Sequence, residues 1–204
     1  MYNPAKFKSQ DFDHAYNLMH KNPFAVLITV VDGKPLVSQL PITVKKNGDQ
    51  LELVGHLARA NPHSRALADH QATVIFQGAH TYITPVWYAQ NDVPTWNYLT
   101  VHVTGHVDLI QDYEGIIVCL KDLAAQVEQY WPSGWEFFIP EDLSTGELEK
   151  NIVGFRIKVE EISFKKKLSQ NRSAKDFSGI LSGLAERTDE NSLAILNEMK
   201  KNLR

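Results

Sequence analysis

The longest regular pattern in the chain is the alternation in TWNYLTVHVTGHVDLI, residues 95–110. Val101, Val103, Gly105, Val107 and Leu109 share one parity, and His102, Thr104, His106 and Asp108 share the other. Successive side chains of a strand point to opposite faces, so a period-two run of β-branched residues specifies a long strand with one apolar face. Shorter runs repeat the signal. In FAVLITVVDGKPLVSQLPITV two strand-like stretches flank Asp32-Gly33, a strong hairpin signal, and Pro41 in the second marks an edge or a bulge. A turn at Lys46-Asn47-Gly48-Asp49 leads into a strand over residues 50–57. ATVIFQGAHTYITPVWY reads as two strands around Gly78, residues 89–94 as a polar loop, and NIVGFRIKVEEISFKKKL as a further strand. About six strands with short turns and few long helices between them predict an antiparallel barrel or sandwich rather than a parallel sheet.

Helices are peripheral to this pattern. Phe12, Ala15, Leu18 and Met19 have helical spacing ahead of the stop Asn22-Pro23. Asp112 caps a helix running to about Tyr130, and a short helix follows Pro140 within an aromatic, turn-rich stretch. Residues 174–185 and 190–200 read as two tail helices. No internal repeat and no low-complexity linker interrupts the chain. The expected organisation is one β domain, residues 1–172, with a helical extension, 173–204, packed on it. The 204 residues suffice for a sizeable core.

Charge and cysteine usage narrow the function classes. A net charge of −3 gives no whole-molecule footprint for nucleic acid. The single Cys119 excludes an intrachain disulfide, and within IIVCLKDL it reads as a buried helix residue rather than a nucleophile. There is no apolar signal region and no run of membrane-spanning length, so a cytoplasmic protein without a membrane partner is expected.

The stretch GHLARANPHSRAL, residues 55–67, carries the sharpest local chemistry. An apolar strand ends and a short helix begins at Asn61-Pro62, a good cap followed by a residue suited to the first turn. Backbone N–H groups there, with Arg59 before the cap and Arg65 one turn in, compose a cradle for a phosphate. The competing reading pairs Arg59 with Asp69. His102 and His106 have the spacing of a helical metal site, but on a strand they stand about 13 Å apart, too far to share an ion. No GxSxG, P-loop or GxGxxG is present. Trp87-Tyr88 and Trp96-Asn97-Tyr98 read as packing or as the flat wall of a cofactor pocket with Thr95 and Asn97 as hydrogen-bonding groups. Lys165-Lys166-Lys167 with Arg172 reads as a solvated strand end or as the positive charge a phosphate or DNA backbone requires.

Taken in order, GHLARANP (55–62), TYITPVWY (81–88), VPTWNY (93–98) followed by VHVTGHV, IVGFRI (152–157) and KLSQNR (167–172) resemble the PaiB family. Its members are FMN-binding negative transcriptional regulators of bacteria, within the FMN-binding split barrels and similar in wider group to pyridoxamine phosphate oxidases. The resemblance covers nearly the whole chain. It implies a mainly β, six-stranded antiparallel split barrel with peripheral helices, and a homodimer with FMN at the subunit interface. By position, Arg59, Ala60 and Asn61, helped by His63 or Ser64, would hold the flavin phosphate. Trp96, Asn97 and Tyr98 would line the ring pocket, and Lys167, Ser169, Gln170 and Arg172 would close it. KLSQNR matches the RLHDR-type segment of the oxidases only loosely, with one residue added and the His missing, so their substrate chemistry does not transfer. The resemblance implies DNA as a partner; an acidic chain without a helix-turn-helix gives that no support. The alternatives are an FMN-dependent oxidoreductase of small molecules, with no catalytic base singled out, and a haem-binding split barrel.

Overall fold

The computed structural model describes all residues except 48–49, 69, 91, 142–145 and 202–204. Within the described residues eight strands join one sheet in the order β3-β2-β6-β7-β8-β5-β4, with β1 paired to β8. They are β1 (Lys8–Ser9), β2 (Phe24–Val31), β3 (Lys34–Pro41), β4 (Thr43–Asn47), β5 (Gln50–Ala58), β6 (Gln71–Ile83), β7 (Thr95–Ile110) and β8 (Ile152–Lys167). The helices are α1 (Phe12–Lys21), α2 (Pro62–Arg65), α3 (Tyr113–Glu128), α4 (Glu147–Asn151), α5 (Ala174–Ala185) and α6 (Glu190–Lys201). The mainly β split barrel with peripheral helices holds, with eight strands where the sequence suggested six.

The chain divides into two compact units. The first comprises Phe12–Phe76 and His102–Ile162. Its hairpin β2–β3 turns at Asp32 and Gly33, whose φ values of 50° and 74° are the pair of left-handed residues that a two-residue turn needs to match strand twist. β3 ends at Pro41 and lies at one end of the strand order, as proline in a strand demands. β5 pairs antiparallel with β8, Leu53 opposite Ile157 and Gly55 opposite Phe155. Leu27, Ile42, Leu53, Phe76, Phe155 and Ile157 are fully buried. Helix α3, capped by Asp112 through the Gly115 N–H at 2.8 Å, buries Ile116, Cys119 and Gln126. The Gln126 amide accepts from the Val44 N–H at 3.0 Å and donates to the His20 carbonyl at 3.1 Å. One buried side chain thereby satisfies backbone groups of β4 and of the last turn of α1. Cys119 is buried as expected, and burial pushes its thiol pKa up, which suppresses the reactive thiolate.

The second unit comprises Met1–Asp11, Gln77–Val101 and Ser163–Arg204. Here Ile83, Leu168, Ile180, Leu184, Ile195 and Met199 form the core. Trp87 closes a short 3-10 turn over Pro85–Trp87 and packs on α5 at Gly183, where an added Cβ would overlap the indole. The Arg187 guanidinium stacks 4.7 Å above the same ring and donates to Thr81 Oγ1 at 2.7 Å and to the Tyr82 carbonyl at 2.9 Å. Trp87 is therefore a packing residue.

Gly78 does not divide its segment into two strands; β6 is continuous from Gln71 to Ile83. What changes is the buried parity, from Ala72, Val74 and Phe76 to Thr81 and Ile83. β8 shows the same change, from Val153, Phe155 and Ile157 to Phe164, and Leu168 just beyond the strand keeps the new parity. Each long strand thus supplies its first half to one unit's core and its second half to the other's. A glycine weakens a strand without ending it and can mark such a shift.

Candidate functional site

The turn read as a phosphate cradle lies in the first unit. Asn61 caps α2 as expected, its Oδ1 accepting from the His63 N–H at 3.0 Å, and Pro62 opens the turn. The Arg59 guanidinium donates through Nε to the Glu149 carbonyl at 2.6 Å, through one terminal nitrogen to the Ile152 carbonyl at 3.2 Å and through the other to Gln111 Oε1 at 3.4 Å. Three of its five N–H groups are committed and two remain. Asp69, the alternative partner, lies outside the described residues.

Asn61 and the two residues expected to help the cradle face inward. The Asn61 N–H donates to the Ala58 carbonyl at 2.9 Å, so this amide is spent on the turn itself. Ser64 is buried and its hydroxyl donates to the Arg59 carbonyl at 3.1 Å. His63 is buried with both ring nitrogens bonded to hydroxyls, Nε2 to Thr29 Oγ1 at 3.0 Å and Nδ1 to Ser38 Oγ at 2.9 Å. Asn61 Nδ2 donates to the same Ser38 hydroxyl at 3.3 Å. Burial holds the His63 pKa below its ordinary value, so the ring is a neutral imidazole with one donor and one acceptor, which two hydroxyls can satisfy. Of this group, Arg59 and the exposed Ala60 present atoms outward.

The remaining site residues lie in the second unit, and the structure separates three that were expected to share one pocket wall. Trp96 and Tyr98 lie on one face of β7 and Asn97 on the other, because alternate residues of a strand cannot face the same way. Trp96 is 46% exposed, stacked on His80 with ring centroids 5.8 Å apart and near Tyr82 at 6.1 Å. Asn97 is fully buried, with Oδ1 accepting from Ser169 Oγ at 3.0 Å and Nδ2 donating to Met199 Sδ at 3.5 Å. Tyr98 forms a face beneath the Lys165 ammonium, 5.5 Å from the ring centroid.

The KLSQNR segment is a self-bonded turn. Ser169 is buried in a left-handed conformation at φ 60°, and the Arg172 N–H donates to its carbonyl at 3.0 Å. The Gln170 amide accepts from the Leu168 N–H at 2.7 Å and donates to the Lys166 carbonyl at 2.6 Å. Arg172 pairs with Asp92 and stacks 4.4 Å above Tyr88. The Lys167 ammonium donates to the neutral Thr95 Oγ1 at 2.6 Å. Sequence reasoning missed Thr29 and Ser38 as the partners of His63. It grouped Lys165 with Lys167, and the period of two along β8 sets the two on one side of the strand.

β7 is a strand through His102 and His106, which removes the helical geometry a shared metal would need. Among the described residues no helix is long and apolar enough to cross a membrane.

The family model described as "Putative FMN-binding domain" matches residues 1–161. The chain is also 34% identical over 210 residues to the "Protease synthase and sporulation protein PAI 2", PaiB, of Bacillus subtilis, covering 100% of this chain and 99% of that one. The chain belongs to the PaiB family. The architecture of this PaiB-family member recurs in solved structures of low identity. The FAD and haem binding protein from Mycobacterium smegmatis is 19% identical with a TM-score of 0.63, covering 86% of this chain and 80% of that one. The flavocytochrome Anf3 from Azotobacter vinelandii is 18% identical with a TM-score of 0.60, covering 84% and 75%. At these identities the likeness establishes the fold.

Proposed function

We propose that this protein binds FMN as a PaiB-type flavoprotein and works as a homodimer with the flavin at the subunit interface. The observation that carries the reading is the FMN-binding family match, which runs from the first residue through most of β8. The donor inventory fits the group. Arg59, with two unspent N–H groups, and the exposed Ala60 are the phosphate contacts. Asn61, His63 and Ser64 hold that turn in shape from inside. In the second unit Lys167 is a further donor, while Ser169, Gln170 and Arg172 maintain its turn and Asn97 anchors Ser169. Trp96 and Tyr98 offer aromatic surface. A bound flavin would supply the redox step, and these residues its binding and orientation. Negative control of transcription in the cytoplasm is the physiological role that goes with the family.

Two measurements test this. The purified protein is expected to show the two visible bands of an oxidised flavin, and the cofactor released on denaturation should run chromatographically as FMN. FAD, or a Soret band in place of the flavin bands, would overturn the assignment. Light scattering should give twice the 23.1 kDa chain mass, because Tyr82, Val86 and Trp96 leave an exposed apolar group in the second unit of the kind subunit interfaces cover. A single-chain mass at micromolar concentration would count against the dimer.

A further inference from the structure

We propose that the second unit carries an oxyanion site built from Lys6, Lys165 and Lys167, with Tyr2 and Tyr98 as its aromatic walls, which takes the phosphate of a small phosphorylated molecule. The proposal goes beyond the flavin reading and does not depend on Arg59.

Lys165 and Lys167 are two residues apart on β8 and leave the strand on the same side. Lys165 is only 7% exposed. Its ammonium donates to the Tyr2 carbonyl at 3.0 Å and lies 5.5 Å from the ring centroids of both Tyr2 and Tyr98. Lys167 donates to the Thr95 hydroxyl. All of these partners are neutral. Lys6 precedes Phe7, whose carbonyl accepts from the Lys166 N–H at 2.8 Å, and β1 then pairs Lys8 with Lys165. The N-terminal segment therefore delivers a third lysine beside the end of β8.

The nearby carboxylates are occupied elsewhere. Asp92 pairs with Arg172, Glu198 with Lys166 and Lys201, and Asp176 accepts from the Ala89 N–H and the Ser173 hydroxyl. Among the described residues neither Lys165 nor Lys167 has a carboxylate within ion-pairing distance. Burial pushes the Lys167 pKa down; Tyr98 opposes this, and the fields of Lys165, Arg172 and Lys6 add to it. Withdrawing like charges from water without a counter-ion is costly, and the cost is recovered when an anion enters. Two ammonium groups on one side of β8, with the exposed Lys6 close enough for its charge to act on Lys167, match a doubly charged phosphate better than a carboxylate, and lysine serves phosphate as a point charge. The burial of Lys165 favours a small molecule over a nucleic-acid backbone.

The test is calorimetric titration of inorganic phosphate into the full-length protein. Wild type is expected to bind, and the double variant Lys165→Met, Lys167→Met to bind at least about tenfold more weakly. Methionine keeps the length and apolar stem of the side chain, so the variant should unfold at a temperature no lower than wild type. If the double variant does not fold, Lys167→Met and Lys6→Met are titrated singly, each expected to weaken phosphate, while Lys167→Arg retains it. Absent binding in wild type, or equal binding in wild type and variants, overturns the proposal. Repeating the titration on flavin-saturated protein identifies the source. Loss of phosphate binding with FMN but not with riboflavin places the flavin's own phosphate at the lysines and removes it from Arg59. Persistence with both assigns the site to a second phosphorylated molecule. A protein that binds phosphate without showing flavin bands would refute the flavin reading and leave the oxyanion site standing.

Discussion

Arg59→Ala is expected to lower stability by about 2 kcal/mol and, separately, to weaken FMN about tenfold to a hundredfold while leaving riboflavin unchanged. The first effect follows from the guanidinium's internal bonds. Truncation leaves the carbonyls of Glu149 and Ile152 without their donor, and an acceptor left unpaired costs about 1–3 kcal/mol when buried, less where water can reach it. Both bonds are part-buried, which sets the combined loss near the middle of that range. The second effect follows from the proposed charge-assisted contact of Arg59 to the FMN phosphate; such a contact is worth about 1.5–3 kcal/mol and has no counterpart in riboflavin. Denaturant unfolding measures the first, and fluorescence titration with each flavin measures the second. Equal losses for FMN and riboflavin would remove Arg59 from the phosphate and leave it as a clamp between the end of β5 and the start of β8. Unchanged stability would remove the clamp. Arg59→Lys keeps the charge but not the fork, so it should retain part of the FMN affinity while losing at least one of the two carbonyl bonds.

Much of the fold was legible because its signals are local. Asp32-Gly33 requires two left-handed residues, and the structure supplies them. The caps Asp112 and Asn61 bind the N–H groups their positions dictate. The tail helices follow their apolar spacing to within a residue. β1 escaped notice because a two-residue strand has no period to detect. β6 was divided at Gly78 because a shift in buried parity looks, in one dimension, like an interruption. The candidate site was less legible because its bonds are long-range. Arg59 finds its partners some ninety residues away, and the His63 hydroxyl partners come from β2 and β3. One separation was available from the start: the alternation that puts Val101 and Val103 on one face also sets Trp96 and Tyr98 opposite Asn97.

Gly105→Ala should be among the most damaging single substitutions in the first unit, costing about 3 kcal/mol through overpacking. Gly105 shares the buried parity of Val103 and Val107 on β7, next to β8 in the sheet. A Cβ built there would overlap the Lys158 carbonyl oxygen, with the carbonyl carbon at 2.8 Å and Ile157 Cγ2 at 2.9 Å. The obstacle is mainly backbone, which has no rotamer to escape into. Relief would require β7 and β8 to move apart, and β8 is held on its other side by its pairing with β5. On the opposite parity, Asp108 and Lys158 form a 2.7 Å ion pair, and the Lys158 hydrogen bond holds the Asp108 pKa below its ordinary value. His106, one position along and facing outward, is the internal control, since exposed substitutions of this kind usually stay within about 0.5 kcal/mol. Urea unfolding should show the Gly105→Ala midpoint falling with an unchanged slope and the His106→Ala midpoint staying near wild type. A Gly105→Ala loss below about 1 kcal/mol would mean that β7 and β8 do not approach as closely at Gly105 and Lys158 as the structure has them.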